Sequence, residues 1–401
     1  MGTKNLNSAT DLITFTRASS STFLGSNGLI QTATNNTPRI EYSADGTVKG
    51  LLIEEARTNL DTNSETFSGA VDGVTVTPNV ATAPDGTQTA TKLVVNLGVT
   101  VIPRLIVSGG QDQPTNTSSI FAKAGEGSFN KIGLGAYNGA GYIASAYFDL
   151  NTGTFDYIFK TSNRNIEDYG VESVGNGWYR VWIKPLNDSG TGMITVVSDD
   201  TVNSQVSATA GNGVDGIYIW GHQVEQGAFP TSYIPTTGAT ATRAADVTTL
   251  PTSAFGYNQK AGTVLVEFKS NKPLNEQFGA FNLSDGTPNN RIIHYTSSQF
   301  HLGFVRNTSG TQADINGGNR GATSELVKFA MAFAENDFAV SANGASVDTD
   351  TSGTVPSGIS VLGIGYFYPN SPSSNLINGH IKSIKYYPRK LSDTQLQELT
   401  T

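Results

Sequence analysis

Alternation of apolar and polar side chains is the main structural signal in this chain. In Trp178–Lys184, for example, Tyr179, Val181 and Ile183 face one way, and the residues between them, Trp182 among them, face the other. A period of two is typical of a strand with one face on a core and one face toward solvent. The pattern therefore predicts half-buried β-strands.

A first full β domain is predicted over residues 65–240. Its predicted strands are Thr91–Val95, Ser118–Ala122, Lys131–Tyr137, Ala144–Asp149, Ile166–Ser173, Trp178–Lys184, Gly192–Ser198 and Gly216–Trp220. Gly and Asn turns separate these strands at short intervals, which is typical of a β-sandwich or jelly roll.

A second full β domain is predicted over residues 241–401. Its predicted strands are Gly262–Lys269, Phe278–Leu283, Arg291–Tyr295, Phe300–Arg306, Val327–Phe333, Phe338–Ala342, Ser360–Gly365 and Gly379–Tyr387. Ala334–Asp337 reads as a hairpin turn. Ser392 and Gln395 have the spacing of a capping box, so a helix should follow Ser392. We expect this helix to close one end of the sandwich.

The stretch from Gly216 to Asp246 connects the two predicted domains. It begins with the apolar strand Ile217–Trp220 and continues through Pro, Thr and Gly turn signals. Phe229 and Tyr233 supply apolar rings within the turn-rich part. We therefore expect a fixed joint between the domains rather than a loose linker.

Composition narrows the classes of function. Charged residues are only 14% of the chain, the net charge is −8, and no cluster of Lys and Arg occurs, which argues against nucleic acid as a partner. Cysteine is absent, so no disulfide or thiol chemistry is available. We expect neither a signal peptide nor membrane insertion, since no apolar run approaches the required length.

Few residues of this sequence stand in patterns that are typical of catalysis or metal binding. The four histidines (His222, His294, His301 and His380) lie outside the usual catalytic motifs, and we expect strand histidines at a surface or pocket edge. His294 and His301 flank one predicted hairpin, but a metal site there would need more ligands. Asp348 and Asp350 resemble a fragment of a calcium loop, although a solvated turn is favoured. We assign no catalytic residue, metal or cofactor.

Aromatic loops are the better candidates for ligand contact. Tyr366, Phe367 and Tyr368 stand in a Pro-, Ser- and Asn-rich loop, and Tyr137 and Tyr142 flank a tight turn. Exposed rings stack on the apolar C–H faces of sugars. These five residues are the predicted glycan-binding residues, and the alternative is that the rings pack back onto the sandwich rim.

Several motifs together resemble the head-spike and tail-fibre proteins of tailed bacteriophages. They are Ile13–Ser20 (ITFTRASS), Leu51–Leu60 (LLIEEARTNL), Phe121–Gly125 (FAKAG), Gly175–Arg180 (GNGWYR), Ile219–Glu225 (IWGHQVE), Phe229–Thr236 (FPTSYIPT), Thr242–Asp246 (TRAAD) and Gly379–Arg389 (GHIKSIKYYPR). The resemblance implies an all-β protein with a carbohydrate-binding-module-like jelly roll over 65–240 and a concanavalin-like sandwich over 241–401.

The resemblance also implies a role. Residues 1–64 would be a short attachment segment that contacts other virion proteins, and the sandwiches would contact host-surface glycans. The protein would be a homotrimer on the virion surface, made in the bacterial cytoplasm and located on head or tail. Two alternatives stay open: a polysaccharide depolymerase tailspike, and a capsid decoration protein that only stabilises the shell.

Overall fold

The computed structural model describes residues 12–99, 101–107, 115–137, 142–160, 165–185, 191–197, 211–321 and 325–401. Almost all regular structure in these ranges is antiparallel β, which confirms the all-β fold class. The first strands are β1 (Thr14–Thr16), β2 (Ser21–Leu24), β3 (Ile30–Ala33), β4 (Ile40–Tyr42), β5 (Val48–Ile53) and β6 (Arg57–Asn59).

The middle of the chain forms a jelly-roll-like sandwich. Its strands are β7 (Val71–Asp72), β8 (Val74–Ala81), β9 (Ala90–Val95), β10 (Arg104–Val107), β11 (Asn116–Ala124), β12 (Lys131–Tyr137), β13 (Tyr142–Asp149), β14 (Thr154–Lys160), β15 (Ile166–Gly175), β16 (Trp178–Pro185), β17 (Thr191–Val197) and β18 (Gly216–Gln226). One sheet has the order β14-β13-β12-β17-β10-β7 and the other β15-β16-β11-β18-β9-β8.

The alternating pattern accounts for the core of this sandwich. Val181 and Ile183 face inward and are fully buried, together with Ile120 from the neighbouring strand and Ile132 from the opposite sheet. Removing such side chains from water supplies about 25 cal/mol per Å² of apolar surface. The intervening residues of β16 therefore point away from this core, as predicted.

The C-terminal part forms a second sandwich. Its elements are β19 (Ala241–Arg243), β20 (Val247–Pro251), a 3₁₀ turn (Thr252–Ala254), β21 (Ala261–Ser270), β22 (Phe281–Ser284), β23 (Arg291–Ser297), β24 (Phe300–Asn307), β25 (Gly310–Asn319), β26 (Val327–Ala334), β27 (Asp337–Ala342), β28 (Asp348–Asp350), β29 (Val361–Ile364), β30 (Gly379–Tyr387) and α1 (Asp393–Thr400). Phe268, Phe281, Phe329 and Met331 are among the buried core residues between its two sheets.

The N-terminal segment belongs to this second sandwich. Its sheets have the orders β1-β20-β29-β22-β23-β24-β25 and β28-β27-β26-β21-β30-β5-β4, so β1, β4 and β5 are strands of the C-terminal sheets. The sequence suggested a separate segment over 1–64, but the described part of that segment is not a separate unit. These strands are too short to build a core alone, and they cover edges that would otherwise carry unpaired backbone groups. Residues 1–11 lie outside the described residues.

The jelly roll is an insertion into the C-terminal sandwich. Strands β6 and β19 pair with each other, and Asn59 lies opposite Ala241. The chain therefore leaves the C-terminal sandwich after Asn59 and returns beside the same point at Ala241. Adjacent ends of this kind are typical of inserted domains.

Helix α1 begins where the capping box predicted. The Ser392 side chain accepts a hydrogen bond from the Gln395 amide, and the Gln395 side chain accepts one from the Ser392 amide. Leu396 packs on Leu265, Ala330 and other residues of the sheet face opposite to the core. The helix thus lies across the outer face of a sheet and does not close an end of the sandwich, because alternation leaves small apolar residues on that face.

Candidate functional site

A cluster of buried charges joins the N-terminal segment to the connecting stretch. Asp246 accepts from Arg17 at 3.1 Å and from Arg39 at 2.6 Å, and all three side chains are fully buried. Glu54 lies 2.9 Å from Arg39 and 3.0 Å from Arg243. Burial would raise the pKa of Glu54, but the guanidinium groups of Arg243 and Arg39 hold it well below its usual range.

Aromatic packing completes this joint. The Tyr233 ring lies 4.6 Å from Trp220 and 5.8 Å from Phe121, measured between ring centroids. Its hydroxyl is 2.7 Å from the Ser64 hydroxyl and 3.0 Å from a Glu65 carboxylate oxygen. Tyr233 is 3% exposed, which confirms the expectation that the connecting stretch packs against the last jelly-roll strand.

A cleft of about 580 Å³ lies between the two sandwiches beside the joint. One wall is the outward face of β15 and β16, and the opposite wall comes from the C-terminal sandwich around Lys269, Asn271 and His380. The connecting residues 228–233 also line it. Clefts of roughly 300–1,000 Å³ between domains are common ligand sites.

Trp182 provides the cleft with a flat apolar surface. Gly170 is its cross-strand partner, and a Cβ atom on Gly170 would lie 2.4 Å from the indole nitrogen. The ring therefore lies over the glycine backbone, and no other residue would leave room for it there. Trp182 remains only half-buried, so part of the indole is accessible from the cleft.

Charged groups beside this ring are held in fixed positions. Glu41 lies 2.7 Å from His380 and 3.7 Å from Lys49, and Lys49 reaches across the cleft to Glu172 at 2.5 Å. Burial would raise the pKa of Glu41, but the hydrogen bond and charge of His380 and the charge of Lys49 lower it to about 2. Glu41 is therefore an ionised hydrogen-bond acceptor at neutral pH.

Arg180 adds donors to the same wall. Its two terminal nitrogens donate to the Thr231 carbonyl at 2.6 Å and to the Ser119 hydroxyl at 2.9 Å. Its guanidinium lies 5.3 Å from the Phe121 ring centroid. The cleft thus combines a stacking ring with charged and polar groups whose positions are set by hydrogen bonds.

Two carboxylates of β15, those of Asp168 and Glu172, do not form an evident catalytic pair with each other. Asp168 and Glu172 share one face of β15 and are four residues apart, which corresponds to about 13 Å along a strand. Glycosidases place their two carboxyl groups about 5–9.5 Å apart. We assign no hydrolytic role to these two residues.

The predicted glycan residues occupy different environments. Tyr366 and Phe367 are 3% and 6% exposed, so their rings pack into the sandwich, as the packing alternative stated. Tyr368 is half-buried on the rim. Tyr137 and Tyr142 end β12 and begin β13, where they are register partners, and the turn between them lies outside the described residues. The structure does not bring the two groups into one site.

The histidines are more buried than predicted. His222, His294 and His301 are at most 1% exposed, and only His380 lies at a pocket edge. His294 and His301 are neighbours, as the hairpin suggested, with Nε2 and Nδ1 3.0 Å apart. The surface expectation was wrong for the first three, because alternate faces of their strands are covered by other elements.

The described residues were also compared with the requirements of a metal site and of a membrane-spanning helix. No cluster of three His, Asp or Glu side chains suited to a metal ion occurs there. Asp348 and Asp350 lie on edge strand β28 and accept hydrogen bonds from the amides of Thr349 and Ser352. None of the helices within the described residues has the length and apolarity of a membrane span.

Comparison with known proteins gives only remote likenesses. No protein-family model and no curated protein matches the sequence. The Ruminococcus gnavus IT-sialidase CBM40 bound to α2,3 sialyllactose is 18% identical, with a TM-score of 0.33, over 37% of this chain and 87% of that chain. The NanB sialidase of Streptococcus pneumoniae is 16% identical, with a TM-score of 0.33, over 38% of this chain and 26% of that chain.

A third similar structure spans more of this chain. Domains LG4-5 of the mouse laminin alpha1 chain are 13% identical, with a TM-score of 0.27, over 88% of this chain and 94% of that chain. At such TM-scores none of these likenesses carries an argument.

Trp178, Trp182 and Trp220 all lie on predicted strands, which favoured packing in the core or at an interface, and neither Trp182 nor Arg180 was assigned to a binding site. Trp178 and Trp220 are indeed buried, at 2% and 1% exposure. Alternation placed Trp182 on the outward face of β16, but it placed Trp178 on the same face, so it could not separate the accessible ring from a buried one. The alternating pattern contains no information about the second sandwich, which makes the outward face of β16 one wall of the cleft.

Proposed function

We propose that this protein is a glycan-binding surface protein of a tailed-bacteriophage particle. The single observation that carries glycan binding is the accessible Trp182 ring on Gly170, inside a cleft whose polar groups are held by hydrogen bonds. Sugars need both an apolar surface for their C–H faces and oriented donors and acceptors for their hydroxyls. The motifs shared with head-spike and tail-fibre proteins support the phage origin.

Binding through the cleft is tested with the variant Trp182→Ala on a glycan array, followed by calorimetry on the best ligand. We expect about a tenfold weaker affinity, since loss of one stacked ring costs on the order of 1.4 kcal/mol. Tyr387→Ala is the matched control, because Tyr387 is a half-buried ring outside the cleft. Equal affinity of the Trp182 variant and wild type would remove the cleft from the proposal.

Virion attachment through the N-terminal segment is part of the same proposal. Because β1, β4 and β5 are hydrogen-bonded into the C-terminal sheets, contacts made by this segment would hold the C-terminal sandwich directly. Cryo-electron microscopy of the particle tests the attachment. Density that shows the segment without any contact to another virion protein would contradict it, and light scattering tests the proposed homotrimer.

The two alternatives give different results with the purified protein. A depolymerase would release soluble products from host capsule or lipopolysaccharide, whereas an adhesin would bind these polymers without shortening them. A capsid decoration protein would bind no glycan on the array, and its deletion would weaken the shell.

A further inference from the structure

Two arginines face each other on the outer surface of the C-terminal sandwich. Arg291 on β23 and Arg306 on β24 are direct cross-strand partners, so their side chains share one face of the sheet. Like charges in this position repel each other and destabilise the pair. Within the described part of the chain, neither guanidinium forms an ion pair with a carboxylate. Fixed positive charge therefore accumulates here without a counter-ion among the described residues.

Arg291 is enclosed by aromatic rings. Its guanidinium lies 5.2 Å from the centroids of Phe304 and Phe367 and 5.6 Å from that of Tyr368, and the residue is 8% exposed. Its Nε and Nη1 groups are buried and have no hydrogen-bond acceptor. Cation–π contacts offset part of the burial cost, but buried N–H donors without an acceptor remain unfavourable. An arrangement this costly points to an acceptor that arrives from outside.

Two of the three enclosing rings, Phe367 and Tyr368, come from the loop that follows β29. Phe367 is anchored through its carbonyl, which accepts from Asn282 Nδ2 at 3.3 Å, and its ring packs 5.4 Å from Tyr295. Tyr368 is the outer ring and is half-buried. The Tyr368 ring is thus the part of the cover next to both the guanidinium and solvent.

We propose that Arg291, Arg306 and Tyr368 form a binding subsite for the carboxylate of an acidic sugar. The planar guanidinium of Arg291 offers paired N–H donors that match a carboxylate, and Arg306 adds a second positive charge. Tyr368 swings off the guanidinium and stacks on the pyranose ring that carries the carboxylate. This subsite is separate from the inter-sandwich cleft and rests on the proposed glycan binding only for the choice of a sugar as the carrier.

The experiment is a titration of the full chain by NMR or calorimetry with methyl glucuronide, methyl N-acetylneuraminide and the neutral methyl glucoside. We expect at least one of the two acidic sugars to bind tenfold or more tightly than the glucoside. Comparison of the two acidic sugars distinguishes a hexuronic acid from a sialic acid as the source of the carboxylate.

Three variants locate the binding. Arg291→Gln should abolish the preference for the acidic sugar, and Arg306→Gln and Tyr368→Ala should each weaken its binding about five- to tenfold. Arg306→Gln and Tyr368→Ala change partly exposed side chains, so they keep the test decisive if the Arg291 variant fails to fold. Tyr387→Ala removes a half-buried ring from the other sheet and should leave acidic-sugar binding unchanged, which shows that loss of any one ring is not enough to weaken it.

Either of two results would overturn the subsite. One is equal affinity for the acidic sugars and the glucoside. The other is a preference for acidic sugars that survives both Arg306→Gln and Tyr368→Ala, because the carboxylate would then bind elsewhere.

Discussion

Asp246 shows how one carboxylate can hold distant parts of a chain together. It binds Arg17 and Arg39, which lie more than 200 positions earlier in the sequence, and it accepts from the Glu54 amide at 2.9 Å. A buried ion pair adds little net stability compared with an apolar pair, but removal of one partner leaves an uncompensated charge. The stability of the joint therefore depends on each buried charge of the cluster keeping its partner.

Replacement of Asp246 by Ala should lower the free energy of unfolding by about 3–5 kcal/mol, because the buried guanidinium groups of Arg17 and Arg39 would lose the carboxylate that they share. Urea denaturation followed by tryptophan fluorescence measures the change. Asp348→Ala is the control, since Asp348 is exposed and should change stability by less than about 0.5 kcal/mol. Similar values for the two variants would refute the importance of the cluster.

At the scale of elements, the β23–β24 hairpin carries a histidine pair into the core. The Ala280 amide donates to His294 Nδ1 at 3.1 Å, so His294 Nε2 carries the proton and donates to His301 Nδ1. His301 Nε2 is then a buried donor without an acceptor. Burial lowers the pKa of His294 well below its ordinary value and that of His301 to about 3, with further lowering by the charge of Arg320.

This pair predicts acid sensitivity. An unfolded chain protonates its histidines below about pH 6.5, whereas the folded protein keeps both neutral, so stability should fall as pH is lowered from 6.5. Each histidine contributes up to about 1.4 kcal/mol per pH unit. Denaturation between pH 6.5 and 5 measures this effect with the contributions of Glu41 and Glu54 still intact, since these two carboxylates lose them only at lower pH.

The variant His301→Asn keeps a polar group but does not titrate. Its stability should therefore decline less steeply over the same pH interval, by the share of one histidine. An unchanged slope would show that His301 is not the group responsible.

At the scale of the whole molecule, the C-terminal sandwich is discontinuous in sequence. Strand β5 pairs with β30, and β1 pairs with β20, so both sheets contain strands from the beginning of the chain. Loss of these strands would expose backbone edges and would remove Leu51 and Ile53 from the core. The jelly roll, in contrast, lies between two paired points of the second sandwich.

A fragment of residues 241–401 should therefore fail to unfold cooperatively in a thermal melt. Residues 12–59 joined to 241–401 through a short Gly-rich linker should restore a cooperative transition, because Asn59 and Ala241 are already neighbours. A cooperative melt of the 241–401 fragment alone would contradict the discontinuous fold.

Many strands could be predicted from the sequence, because the alternation of apolar and polar residues lies within the strand itself. Lys131–Tyr137 and Gly379–Tyr387 were predicted with the bounds that the structure has, and the cap at Ser392 was also correct. Strands β8, β10, β14 and β25 were missed. In β8 and β25, Pro, Gly or polar residues interrupt the pattern, so their strand conformation depends on pairing with neighbours.

The residues of the candidate site were harder to predict from the sequence than the strands were. Loop aromatics were predicted to be exposed, yet Tyr366 and Phe367 are buried, while Trp182 on a strand remains accessible. Exposure of a ring depends on which elements cover it. The covering elements come from residues far away in sequence, so the local alternation of side chains does not predict which rings they bury.

By itself, the sequence determined the all-β class, the positions of many strands and turns, and the outward face of β16, because these follow from local backbone preferences and side-chain alternation. Tertiary structure alone decided that β1, β4 and β5 complete the C-terminal sheets, that Trp182 faces a cleft, and that Arg291 is enclosed with no counter-ion among the described residues. Strand pairing and ring burial join residues hundreds of positions apart, and only the folded chain brings these residues together.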